Sequence, residues 1–138
     1  MRNYETFSTT ADSGIRCQGR DFSELYANAL RALNLLLFGR NPRQRSGESD
    51  SVAFRFRGDG PETVLVNFLA AVLELAYRDG RIVSAVEFSR ADEQRLEARL
   101  RLAQGRAAPK IEIKSATYHN LRVSEKNGRL RAAVVFDV

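Results

Sequence analysis

The stretch LRAAVVFDV, Leu130–Val138, decides how this chain is read. Leu130, Ala132, Val134, Phe136 and Val138 point one way, and Arg131, Ala133, Val135 and Asp137 point the other. That two-residue period marks a half-buried β-strand, here running to the last residue of the sequence. Asp137 and the α-carboxylate expected at Val138 then stand together at a fixed end of a sheet. Asp12, in TTADSGI (residues 9–15), lies near the opposite end of the sequence, beside a glycine. If the fold brings the two ends together, three carboxylates converge. Such a cluster needs a hard cation or an arginine to neutralise it.

Working inward, residues 4–7 read as a short strand, 12–14 as a turn and 15–19 as a second strand, with Ile15 and Cys17 on its inner face. Asp21, with Glu24 three residues later, opens a helix in the manner of a capping box. Leu25, Ala29, Leu33, Leu36 and Leu37 form its apolar stripe, and Gly39 ends it. Residues 40–50 (RNPRQRSGESD) have no periodicity and read as a mobile loop. Residues 51–57 alternate as a strand. Pro61 opens a second helix that closes at Asp79-Gly80. Residues 82–89, 94–103 and 116–124 follow as strands, and Lys126-Asn127-Gly128 turns the chain into the terminal strand. The order β-β-α-β-α-β-β-β-β implies an α+β layered sandwich, two helices packed on a largely antiparallel or mixed β-sheet. At 138 residues it is one domain, 1–138.

Composition narrows the function. No apolar run approaches the ~20 residues of a membrane span, and no signal-peptide core opens the sequence, so a cytoplasmic protein with no membrane partner is expected. One cysteine cannot form an internal disulfide and spells no metal motif. The net charge of +5 is an arginine surplus, since only Lys110, Lys114 and Lys126 are lysines. Arg95, Arg99 and Arg101 face outward along one strand, interrupted by Glu97. Phosphate-cradling glycine loops, serine elbows and paired zinc histidines are missing from the sequence. His119 is the lone histidine. It alternates with Thr117, Leu121 and Val123, which predicts a packed, hydrogen-bonded structural residue. Taken singly, Asp12 reads as a turn residue and Asp137 as a solvent-facing strand carboxylate.

Three separated segments together read differently. TTADSGI resembles the H-T-A-D-x-G-I motif of the archease family. PKIEIKSATYHNL (residues 109–121) resembles that family's second motif, and AVVFDV (residues 133–138) its terminal V-x-x-D-[IV]. The resemblance covers essentially the whole chain. It implies a small cytoplasmic accessory protein that is not itself an enzyme. Its expected partner is a GTP-dependent tRNA-splicing RNA ligase, which joins a 2′,3′-cyclic-phosphate or 3′-phosphate end to a 5′-hydroxyl; RNA is met only indirectly. The helper promotes guanylylation and repeated turnover of the ligase. The resemblance also implies a divalent metal, calcium, held by Asp12, Asp137 and Val138. Thr9 stands where the family motif opens with histidine, and Ala107 and Ala108 stand where many members carry His-Glu. Two alternatives come from other classes: a basic RNA-binding module, suggested by the arginine surplus, and a general protein chaperone.

Overall fold

A computed structural model describes residues 3–10, 12–43 and 50–138. Most of the expected loop over 40–50 therefore lies outside the described residues. The strands are β1 (Tyr4–Ser8), β2 (Ser13–Gly19), β3 (Ser51–Arg57), β4 (Val83–Ala91), β5 (Arg95–Leu102), β6 (Ser115–Ala116), β7 (Ser124–Lys126) and β8 (Arg129–Asp137). The helices are α1 (Phe22–Phe38), between β2 and β3, and α2 (Pro61–Asp79), between β3 and β4. This is the expected α+β sandwich, with two sheets rather than one and with every described strand pair antiparallel. The larger sheet runs β1-β2-β8-β6, and β7 lies along the same edge of β8 as β6. The smaller sheet runs β3-β5-β4.

Both helices begin and end where their residues dictate. The Asp21 carboxylate accepts the Glu24 N–H at 2.8 Å, and Glu24 turns back to accept the Arg20 N–H at 3.3 Å. These bonds satisfy donors that a helix start leaves open. Gly39 (φ 74°) and Gly80 (φ 64°) close the two helices in the left-handed conformation that glycine tolerates best. The sequence-derived stripe on α1 is too narrow. Leu36 is only half-buried, whereas Tyr26, Asn28 and Asn34 are buried as well. The reason is tertiary: α1 packs on β1, β2 and β8 of the larger sheet and on β4 of the smaller one. Its two buried amides serve one sheet each. Asn28 Nδ2 donates to Gln18 O at 2.8 Å, and Asn34 Nδ2 to Val83 O at 2.9 Å. α2 packs on α1, β3, β5 and β6. One apolar core results. Ile15, Cys17, Val134 and Phe136 line it from the larger sheet, Leu96 and Leu100 from the smaller, and Phe68 and Leu69 from α2.

The expected strand over 116–124 is broken, and this adds a strand to the expected order. Pairing with β8 stops after Ala116, where the Thr117 amide and hydroxyl both donate to Val135 O, at 3.0 and 2.9 Å. Asn120 adopts φ 53° and the Leu121 N–H bonds back to Tyr118 O at 3.0 Å, forming a turn. Val123 N–H then donates to Glu62 Oε2 at 2.8 Å. A carboxylate on α2 thus takes a bond that a continuous ladder would otherwise hold. Pairing resumes only at β7, which turns into β8 through Asn127 (φ 54°) and Gly128 (φ 75°), the expected hairpin.

Candidate functional site

The β2–β8 register answers whether the ends of the sequence meet. Ser13 lies opposite Phe136. Asp12 immediately precedes the first residue of that rung and Asp137 immediately follows the second, so both backbones reach the same end of the larger sheet. The second motif arrives on the other side of β8: Ser115 lies opposite Asp137, and the Lys114 N–H donates to Asp137 O at 2.7 Å. Three segments far apart in sequence therefore meet at the end of β2, β8 and β6. Asp12, Asp137 and Val138 are all exposed there, Val138 at 50%. Among the described residues, no arginine, lysine or histidine forms an ion pair with Asp12 or Asp137.

Local chemistry positions Asp12. The Thr9 N–H donates to Asp12 O at 2.8 Å, and Asp12 N–H donates to Thr9 Oγ1 at 3.0 Å. Thr9, at the motif's histidine position, thus ties the turn through its hydroxyl and leaves the Asp12 carboxylate outside it. Gly14 supplies flatness. A Cβ built there would lie 2.3 Å from Phe7 Cζ and 2.4 Å from Val134 O, so only glycine lets β1 and β8 close on β2 at this rung.

The second motif is held by residues that sequence reading overlooked. Tyr77, near the end of α2, donates its hydroxyl to Ile111 O at 2.5 Å and accepts the Ile113 N–H at 2.7 Å. Burial pushes the Tyr77 phenol upward, and Glu112 adds to that against the opposing bond from Ile113. Lys110 donates its N–H to Leu37 O at 2.6 Å. Its ammonium rests against Gly39, 2.6 Å from where a Cβ would stand, beside the C-terminal carbonyls of α1 that favour a cation. Glu62 and Tyr77 look in sequence like an ordinary first-turn acid and a helix-edge aromatic, so no local pattern points to these partners.

His119 does not take the packed strand position expected of it. It is exposed, in the turn after β6, with its N–H on Thr117 Oγ1 at 3.3 Å and its ring Nε2 3.3 Å from Asn120 Nδ2. The expected packing assumed strand alternation, which the turn at Asn120 removes. Cys17 lies as expected on the buried face with Ile15, and burial pushes its thiol up to about 12. Among the described residues, no three His, Cys, Asp or Glu side chains group as a metal cluster. No helix among the described residues is long and apolar enough to cross a membrane.

Comparison with known proteins agrees with the three motifs. The chain is 26% identical over 145 residues to a protein archease of Pyrococcus abyssi, with both chains covered in full. Its fold is similar to that of Methanobacterium thermoautotrophicum protein 1598 in solution, with a TM-score of 0.67 and 21% identity over the whole of both chains. It is also similar to the crystal structure of a Thermotoga maritima protein named an archease and possible chaperone. There the TM-score is 0.58 and the identity 19%, over 96% of this chain and 94% of that one. The model of the Archease protein family (MTH1598/TM1083) matches residues 4–138, and the chain accordingly belongs to the archease family.

Proposed function

We propose that this protein is an accessory activator of a GTP-dependent tRNA-splicing RNA ligase in the cytoplasm, and not itself an enzyme. The observation that carries the reading is the meeting of the three archease motifs at one end of the larger sheet, with Asp12 and Asp137 left without ion-pair partners among the described residues. The Asp12 and Asp137 carboxylates with an oxygen of Val138 make an all-oxygen, anionic donor set, which suits a hard divalent cation such as calcium. The donor chemistry thus fits the metal that the family resemblance implies. When bound, the cation supplies positive charge at the tip. The protein's own contribution is to hold the carboxylates there, through the Thr9–Asp12 turn and the end of β8, on a surface a partner can reach.

The test is multiple-turnover ligation with and without the protein. Stimulation by the wild type and none by Asp12→Ala are expected. Because the Asp12 carboxylate has no bonding partner among the described residues, the variant should keep its stability within about 0.5 kcal/mol. Asp137→Asn should lose most of the rise in melting temperature that calcium gives the wild type. Unchanged stimulation by Asp12→Ala would overturn the role given to the tip. The Thermotoga maritima relative's name favours a second reading, a chaperone. That reading predicts suppression of aggregation of unrelated clients, insensitive to Asp12→Ala.

A further inference from the structure

The outer face of the larger sheet carries a second charged feature, away from the carboxylate tip. Arg131 on β8 lies opposite Ser124 on one side and Gln18 on the other, and Arg16 is one same-face step along β2. Asn120 and Arg122 reach in from the turn after β6, closing a groove of about 300 Å³ lined by Arg16, Arg122, Arg131, Asn120 and Ser124. No carboxylate lines it. Arg16 is weakly engaged elsewhere, 3.7 Å from Glu5 and with its guanidinium 4.3 Å from the Phe7 ring centroid. Among the described residues Arg122 and Arg131 have no ion-pair partner. Arg131 Nε is buried and donates to nothing. A buried charged donor without an acceptor is costly.

One arginine-lined groove on the smaller sheet is neutralised in large part from within. Glu97 and Glu87 are part of its wall and pair with Arg55 and Arg101. A further groove there, lined by Arg55, Arg57 and Arg95, keeps Glu97 in its wall, whereas the groove on the larger sheet has no carboxylate in its lining. We infer that the Arg16–Arg122–Arg131 groove binds a phosphate monoester on a small carrier. Guanidinium forks match phosphate oxygens, and Ser124 and Asn120 add neutral donors. The groove volume sits at the low end of small-ligand pockets, which suits one phosphate and a compact carrier rather than a length of nucleic-acid backbone. Along β8, Arg131 and Asp137 are six residues apart, about 20 Å, so this site is separate from the carboxylate tip. It also stands independently of the ligase reading.

The experiment titrates the full chain with inorganic phosphate, with AMP, and with a single-stranded RNA oligomer lacking a terminal phosphate. The readout is NMR shifts of the 120–124 amides and of the Arg131 Nε–H. Saturable binding of phosphate or AMP is expected. Arg122→Ala, at an exposed loop position, and Arg131→Gln should each weaken it at least ~10-fold. Arg57→Gln, on the smaller sheet, should leave it unchanged. Tighter binding of AMP than of phosphate would assign contacts to the carrier, and equal binding would assign the affinity to the phosphate alone. The inference is overturned by absent saturation, by binding that survives Arg122→Ala, by equal loss in Arg57→Gln, or by RNA binding as tight as that of AMP.

Discussion

The two sheets of this molecule differ in where they place arginines and carboxylates and in how their strands are buried. In the smaller sheet, β5 alternates regularly, with Leu96, Ala98, Leu100 and Leu102 buried against outward Arg95, Glu97, Arg99 and Arg101. Two of its outer arginines pair locally, Arg55 with Glu97 at 2.8 Å and Arg101 with Glu87, while Arg57, Arg95 and Arg99 have no ion-pair partner among the described residues. In the larger sheet, β2 is buried at Gly14, Ile15, Cys17, Gln18 and Gly19, so both of its faces are partly covered. Its edge beyond β8 is split between β6 and β7. Its arginines and carboxylates stand mostly apart. The smaller sheet carries carboxylates among its outer arginines, its β4–β5 register shifts twice, and its exposed ion pairs contribute little energy individually. The larger sheet leaves Asp12, Asp137 and Arg131 without ion pairs among the described residues and has the backbone leading into β6 and β7 supported from α2. The archease motifs lie there.

That contrast can be broken, beginning with the largest effect on stability. Gly14→Ala should destabilise by about 1–3 kcal/mol in urea unfolding, because the new methyl meets the Val134 carbonyl as well as the Phe7 ring. Ala53→Val, on the exposed face of β3, should stay within about 0.5 kcal/mol. Equal effects would show that the larger sheet is no less tolerant than the smaller.

Tyr77→Phe should cost about 1–2 kcal/mol, since it strands Ile111 O and Ile113 N–H together. Hydrogen exchange should rise at residues 111–113 while the smaller sheet stays protected. Uniform exchange across both sheets would deny Tyr77 its local role.

Alkaline titration sharpens the comparison through Cys17, on the core face of β2. Its thiol is held up to about 12 against an ordinary 9.0, because burial penalises the thiolate. The unfolded chain therefore loses this proton first. The thiol's contribution is fully present below pH 9.0 and is lost as pH rises toward about 12. The slope approaches about 1.4 kcal/mol per pH unit. Tyr26, pushed up by burial and then by Asp92, acts in the same direction at higher pH. Cys17→Ala should flatten the first part of this fall, and an unchanged slope would place the titration elsewhere.

The smallest effect is expected at His119. Its exposure in a turn predicts that His119→Ala changes stability by less than about 0.5 kcal/mol. A loss of 1 kcal/mol or more would restore the packed role that strand alternation suggested.

What could be read from the residues alone was whatever depends on near neighbours. The cap at Asp21, the stops at Gly39 and Gly80, the Asn127-Gly128 hairpin and the alternation of β3, β5 and β8 are local, because a period or a cap needs only adjacent residues to reveal it. The three archease motifs and the candidate carboxylates were legible too, as strings. The division into two sheets was not, since α1 had to bury a second face before its stripe could widen to Asn28 and Asn34. Nor was the break after Ala116, whose backbone bonds go to Val135 and Glu62, far away in the chain. The same holds for the meeting of Asp12 with Asp137 and for the groove around Arg131. Sequence determines which groups exist and which local geometry each prefers. Tertiary structure alone decides which distant groups become neighbours, because register, long-range hydrogen bonds and desolvation act only between segments already brought together.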